Sequence, residues 1–268
     1  MQAEQPSPPN GGLIPISENE SFAFHCSSAV PCFNDCCRDL NQFLTPYDIL
    51  QLKNHLGIRS GEFLATYTSR HIGPETGLPV ITLRPKAGAQ RVCPFVTTSG
   101  CGVYPNRPSS CRIYPLARAV SRCRQTGRLT QHFALIREPH CFGFQQTRRQ
   151  TVSQWLHSQQ LDGYLEQNDR FLEIIGLKNH LETGPLDLRS QQLFLLALYD
   201  IDAFRDHILH KGLLADWHLP VETLERLKVE EVELLAFGHR FVSRQIFGKI
   251  RPGQQRRRDS DRSNDPAG

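Results

Sequence analysis

The sequence predicts an α+β protein in which a small cysteine-rich metal-binding module with short strands is packed on a C-terminal all-helical region. Three observations lead there. Strand-like runs, rich in β-branched residues, are confined to residues 78–137, whereas beyond Thr151 the apolar residues recur only at helical spacing. All nine cysteines fall within the first 141 residues, four of them in the twelve-residue stretch 26–37. A length of 268 residues suits one large domain or two small ones, and the apolar and charged fractions, 39% and 22%, are those of a globular chain. The expected organisation is a disordered N-terminus at 1–20, a cysteine-cluster domain at 21–148, a helical region at 151–249 and a disordered tail at 250–268.

In chain order, residues 1–20 are polar and Pro-rich at the start and carry no core face. After the first cysteine group, Thr45 is placed to cap a helix, with Pro46 at its first position, Asp48 completing a capping-box pattern and Gly57 ending it. Ser60 is placed to cap a second, short helix carrying Phe63, Leu64 and Tyr67. Strands are expected at 78–83 and 90–96, joined by a hairpin at 86–89, and again at 130–137. The Gly-, Pro- and Ser-punctuated stretch 99–112 predicts a loop, whose irregular backbone can turn successive sulfurs toward one point. Helices are then predicted around Val152, Trp155 and Leu156, from Tyr164 to Ile175, from Phe194 to Ile208 with Gly212 closing it, and from Val221 up to Gly248. Glu230, Glu231 and Glu233 fall on the expected solvent face of that last helix.

Cysteine usage and charge narrow the chemistry. The first residues lack the basic and apolar regions of a secretory signal, which predicts a cytoplasmic location, and no apolar run approaches the roughly 20 residues that span a bilayer. A reducing compartment disfavours a disulfide framework, and an odd count leaves one cysteine unmatched in any fully paired scheme, so metal binding is the leading explanation. Residues 84–148 hold eleven Lys and Arg against one acid, Glu138, together with five cysteines, while residues 151–250 hold ten basic and fifteen acidic residues. Cations near thiols favour the thiolate that binds metal, although a solvated basic face accounts equally well for individual arginines.

The spacing argues against familiar small-metal motifs. The nearest approach to a zinc-ribbon pair is Cys32-x3-Cys36, followed at once by Cys37, and no C-x2-C-x2-C ferredoxin run occurs. The radical-enzyme pattern C-x3-C-x2-C fails because its third ligand would fall on Asp39. Phe95, Tyr104, Tyr114, Phe142 and Phe144 lie beside the later cysteines, where aromatic groups could shield a cluster, the alternative being plain core. Cysteine excess and these aromatics favour an iron-sulfur cluster over zinc. His25, beside Cys26, is the one histidine whose position suggests a ligand. H-E-x-x-H, P-loop and G-x-S-x-G motifs are absent from the sequence.

The ordered series formed by Cys26 through Cys37, Cys93-Pro94-Phe95-Val96, Cys101-Gly102-Val103-Tyr104, Arg107-Pro108-x2-Cys111-Arg112-x-Tyr114-Pro115 and Cys141-Phe142-Gly143 resembles the bacterial YkgJ-type cysteine-cluster family, described as zinc- or iron-chelating, over residues 22–145. The resemblance implies metal ligation by Cys26, Cys32, Cys36, Cys37, Cys93, Cys101, Cys111 and Cys141, with Cys123 a bystander. It implies that Arg107 and Arg112 hold the ligand loop or balance thiolate charge, a substrate anion being the rival role. Two features depart from the family pattern: five residues separate Cys26 from Cys32, and Phe142 stands where Cys-Pro-Gly is expected.

Three functions compete at this level. One is a metal- or cluster-binding protein whose centre supports the fold or passes electrons to a protein or redox partner. A second is a cluster-dependent enzyme, redox or protein-modifying, because the resembled family shares cysteine-cluster features with flagellin lysine methylases. A third is a nucleic-acid-binding module using segment 84–148 and the run Arg256, Arg257 and Arg258, whose mark would be steep loss of binding with salt.

Overall fold

The structure, a computed structural model, describes residues 12–248 apart from 89, 124, 182, 183, 215 and 216. Its elements run β1 (Gly12–Ile16), β2 (Ser21–Ala23), α1 (Pro46–Leu56), α2 (Ser60–Tyr67), β3 (Thr68–Ile72), β4 (Pro79–Leu83), β5 (Val96–Thr97), β6 (Gly100–Cys101), α3 (Ser109–Ile113), β7 (Leu116–Arg122), β8 (Leu129–Arg137), β9 (Arg149–Thr151) and α4 (Val152–Ser158). They continue through α5 (Asp162–His180), α6 (Leu188–Leu198), α7 (Ile201–His210), α8 (Val221–Val229) and α9 (Glu231–Val242), and a π-helical turn follows at Ser243–Phe247. The fold class is α+β, with the cysteine-rich part preceding the long helical run. No helix among the described residues is long and apolar enough to cross a membrane.

The chain forms two compact units that do not follow sequence order: residues 1–40 with 85–163, and residues 41–84 with 164–268. This differs from the contiguous division expected at 148–151, because segment 41–84 clusters with the helices. Polar contacts within that second unit supply the reason. Ser60 donates its backbone N–H to Asp202 (2.8 Å) and its hydroxyl to Asp200 (2.7 Å), while Lys53 pairs with Asp202 (3.4 Å) and with Glu231. Arg205 bridges the same two carboxylates at 3.3 Å each, and Asn54 donates to Glu231 at 2.6 Å. Ser60 is therefore the first helical residue anchored to α7 rather than the cap of α2, a role that falls to Arg59. Glu231 is likewise part of this network and not of a solvent face.

In the cysteine-bearing unit, β1, β8 and β7 form an antiparallel sheet in that order, with Ile16 opposite Phe133 and Leu116 opposite Leu135. These four side chains are buried, so alternate positions of the sheet face a core while the rest face water. The pairing of β1 corrects the expectation of disorder for residues 12–20. Residues 1–11 and the tail 250–268, with its arginine run, lie outside the described residues. β8 agrees with its predicted span to within one residue. β7 has no matching strand signal in the sequence, since its Arg118 and Arg122 break the apolar alternation.

In the helical unit, the capping box of α1 forms as the sequence predicts: Asp48 donates its N–H to the Thr45 hydroxyl (3.3 Å) and accepts from the Thr45 N–H (2.9 Å). Gly57 ends the helix with φ of 67°, a left-handed conformation open to glycine without a Cβ penalty. β3 and β4 pair antiparallel, Thr68 opposite Leu83. The single helix expected at 194–208 is two, because the Asp200 carboxylate caps a new start by accepting from the Ala203 N–H. The last predicted helix is also divided, with Glu230 extended between α8 and α9. Phe194, Phe204, Phe237 and Phe241 fill the centre of this unit. Gly238 is obligatory there, since a Cβ would lie 2.1 Å from the Ala197 carbonyl oxygen.

Candidate metal centre

Backbone pairing, rather than one continuous element, gathers the cysteines. β2 pairs with β9, and the strand pairing continues irregularly as the Phe24 N–H donates to the Arg148 carbonyl and the His25 N–H to the Gly143 carbonyl, each at 3.0 Å. Cys26 is thereby laid beside Cys141. Gly143 is the glycine of the departing motif, and its smallness has a cause. A Cβ at that position would meet the Phe24 ring at 2.5 Å, so the 141–145 turn closes only over glycine. Phe24 itself is buried against Tyr114, Phe144 and Trp155 in edge-on contacts, with ring centroids 5.1–5.9 Å apart.

A second pairing lies on the other side of the loop. The Cys93 N–H donates to the Cys37 carbonyl (2.8 Å), and the N–H groups of Asp39 and Leu40 donate to Gln90 and Arg91. The Cys93 region is thus an extended partner of 37–40 and not the strand of a 90–96 hairpin; among the described residues of that stretch a strand begins at Val96, opposite Cys101. Asn34, at φ of 71°, turns the loop into the short helical turn Asp35–Cys37, and its side chain donates to the Thr97 carbonyl at 3.2 Å. Phe33 closes on Gly100, whose φ of 124° also requires glycine. Cys111 arrives on α3, a short helix within the stretch expected to be wholly loop.

The two motif arginines hold this ligand loop. Arg107 is buried, stacks 3.9 Å over Tyr104, and donates to the Tyr104 carbonyl (2.8 Å) and to the Gln159 side chain. Arg112, also buried, donates to the Gln159 carbonyl (2.7 Å) and to the Pro105 carbonyl. Both therefore fasten 104–112 to the end of α4, and Trp155 adds a hydrogen bond to the Ile113 carbonyl at 3.0 Å. Arg107 has a second effect: its charge lowers the pKa of Cys26 and Cys101, against the burial that raises both.

The sulfurs sense one another in a connected pattern. Desolvation, then the neighbouring Cys36, Cys32 and Cys141, pushes the Cys26 thiol up to about 11, although the residue as a whole is exposed. A hydrogen bond from Cys37 holds Cys36 down to about 7, and the same bond raises Cys37, which also lies within reach of Cys93 and Cys111. Burial raises Cys93, next to Cys101, and raises Cys141, which is hydrogen-bonded to Cys32 and receives a compensating hydrogen bond from the Tyr114 hydroxyl. The one Tyr114 hydroxyl hydrogen is shared between Cys141 and Glu138, the latter 3.0 Å away, and the Phe142 N–H donates to the Cys32 sulfur at 3.2 Å. The Cys123 thiol is hydrogen-bonded within its own turn, at Gln125 and Thr126, and is exposed.

Cysteines from residues 26–37, 93–111 and 141 are thus linked pair by pair through charge and hydrogen bonds, while the Cys123 thiol bonds within its own turn. All nine are free thiols. Among the described residues, no three His, Cys, Asp or Glu side chains stand in a metal-holding arrangement; thiol hydrogen bonds join Cys36 with Cys37 and Cys32 with Cys141. The donor set nevertheless fits a soft cation, since adjacent sulfurs raise one another's pKa values and a metal relieves that repulsion while keeping thiolates ionised. Of the flanking aromatics, Phe95 is buried, but Tyr104 is 57% exposed and covers Arg107 rather than sulfur. His25 enters the site through its backbone N–H.

A unit whose loops are fastened so as to gather thiols defines a cysteine-cluster protein. Residues 25–142 match the model of the CxxCxxCC family, described as a putative zinc- or iron-chelating domain. It is the cysteine-cluster family that the motif series resembles. No curated protein and no solved structure matches the chain.

Proposed function

We propose that the cysteine unit carries a thiolate-bound metal centre, an iron-sulfur cluster in preference to zinc, with ligands drawn from Cys26, Cys32, Cys36, Cys37, Cys93, Cys101, Cys111 and Cys141. The observation that supports this reading is the chain of charge and hydrogen-bond links among cysteines from three separated segments, 26–37, 93–111 and 141, while the Cys123 thiol bonds within its own turn. A lone structural zinc takes four ligands, so eight sulfurs exceed its need. Hydrogen bonds to sulfur from Tyr114 and from the Phe142 N–H are of the kind that tunes cluster potentials. A bound cluster would supply one-electron transfer, and the chain's own residues would position the sulfurs, seat the loop through Arg107 and Arg112, and partly exclude water at Cys93. The physiological setting we infer is cytoplasmic electron passage to a protein partner.

Anaerobic purification followed by iron, zinc and sulfide analysis and a visible spectrum tests the proposal. Brown protein that bleaches on reduction is expected. Cys111→Ser should lose the chromophore and Cys123→Ser should retain it. Colourless protein with stoichiometric zinc, fully folded, would overturn the cluster reading and leave a structural zinc centre as the better account.

A further inference from the structure

In the sheet of the cysteine-bearing unit, β1 is shorter than the hairpin it joins. It pairs only with residues 133–137 of β8, whereas β7 and β8 stay paired from Leu116 opposite Leu135 to Arg122 opposite Leu129. Residues 119–132 therefore run on as a two-stranded ribbon, and no strand among the described residues pairs with either side of it. Hydrogen bonds along its length hold it in shape. Arg118 Nε donates to the Gln131 side chain (2.7 Å) and Ser121 meets His132 (2.9 Å). At the tip, the Cys123 N–H donates to the Arg128 carbonyl (2.9 Å) and the Gly127 N–H to the Cys123 carbonyl (2.8 Å). A lone hairpin is marginal in water, so the buried Leu116, Phe133 and Leu135 at its root are what anchor this one.

The character of one face changes along the ribbon. Side chains alternate across a strand, so Leu116, Arg118 and Arg122 of β7 share a face with Gln131, Phe133 and Leu135 of β8. That face is apolar and buried at the root, and beyond it carries the two guanidinium groups and the Gln131 amide, with Leu129 as its exposed large apolar side chain. Every described residue from Ser121 to His132 is exposed, and Arg128 adds a third guanidinium at the turn. No Asp or Glu occurs between Glu75 and Glu138, so the chain near the ribbon supplies no carboxylate to offset this charge. An anchored arm that turns from apolar to basic where its cover ends suits a polyanion better than another apolar surface.

We propose that the β7–β8 ribbon is a docking arm for double-stranded DNA, lying in the major groove with Arg118, Arg122 and Arg128 on the phosphates. A B-form major groove, about 12 Å wide, admits a two-stranded β-ribbon. Arginine contacts to phosphate supply affinity without regard to sequence, and Gln131, beside Arg118, is of the type that reads base edges. The major groove of an A-form RNA duplex is deep and narrow and excludes such an arm. A bilayer surface fits less well, because the described turn residues 123 and 125–128 include no aromatic or aliphatic anchor. The proposal does not rest on the metal centre.

Fluorescence anisotropy of a labelled, mixed-sequence DNA duplex of about 20 base pairs, titrated with the full-length protein as isolated, reads the binding from roughly 50 to 200 mM salt. Combining Arg118→Gln, Arg122→Gln and Arg128→Gln should weaken binding at least about tenfold at the lower salt and reduce the log–log salt slope by about 2–3, as three lost phosphate contacts require. Lysine at the same three positions should keep the affinity within about threefold, which separates lost charge from a lost fold. Removing equal charge from the helical unit, by Arg70→Gln, Arg189→Gln and Lys211→Gln, should change affinity less than about twofold. An RNA duplex of the same length should bind at least about fivefold more weakly. Four results would each overturn the proposal: no duplex binding at the lower salt, equal loss from both glutamine triples, unchanged binding in the ribbon triple with loss on substituting Arg256, Arg257 and Arg258, or binding to the RNA duplex or to phosphatidylserine-containing vesicles as tight as to DNA.

Discussion

In the helical unit Phe194, Phe204, Phe237 and Phe241 are buried almost completely and touch one another or Trp217 and Tyr199, while in the cysteine unit Cys26, Cys36 and Cys111 are exposed and the aromatic centre is the smaller group around Phe24. The first has regular helices whose apolar faces pack by themselves. The second has strands of two to nine residues joined by loops whose shape depends on individual hydrogen bonds and on sulfur. Hydrophobic burial suffices to specify one; the other rests on individual hydrogen bonds, and under the proposed function a thiolate-bound metal completes it.

Metal withdrawal breaks that comparison most severely. Structural metal sites couple on the order of 10 kcal/mol to folding, so chelation is expected to abolish hydrogen-exchange protection at the 93–111 amides while α6 and α9 keep theirs. Simultaneous loss in both regions would show that the units do not differ in this way. Next in size, Phe204→Ala should cost about 3–5 kcal/mol in urea unfolding through the cavity it leaves, without changing metal content. Gly143→Ala should cost about 1–3 kcal/mol through its clash with Phe24 and, unlike Phe204→Ala, should lower metal occupancy because it displaces the turn bearing Cys141.

The smallest expected effect is one of pH and belongs to the helical unit alone. His239 has a folded pKa near 4 against 6.5 for the free side chain, chiefly from burial and to a lesser degree from Arg170. The unfolded chain therefore binds the proton first as pH falls, so this stability is complete above about 6.5 and declines toward 4, by about 2 kcal/mol at pH 5. Urea titrations should show that decline in the wild-type chain and a flatter profile in His239→Phe. Asp202 and Glu231, both held below the ordinary carboxylate range despite the burial that opposes it, lose their contributions only at lower pH, as protons displace Lys53, Arg205 and the Ser60 and Asn54 donors.

The sequence by itself determined what local chemistry can determine: the capping box at Thr45 and Asp48, the stop at Gly57, the strand ending at Arg137, the helical nature of the second half, and the cysteine motif series. Each depends on residues a few positions apart. Only the tertiary structure decided the rest. Segment 41–84 reads as part of the cysteine region because it lies between its two halves in sequence, yet Lys53 and Ser60 find their charge partners on α7 and α9, some 140–180 residues away. Glu231 looks like a solvent-face residue until those partners are known, and β7 is made a strand by β8 rather than by its own pattern. The convergence of Cys26 with Cys141 and of Cys37 with Cys93 rests on backbone hydrogen bonds between distant loops, which leave no periodic trace. The unmatched Nε2 of His239 is invisible for the same reason, because an unmatched acceptor exists only once burial has removed water from it.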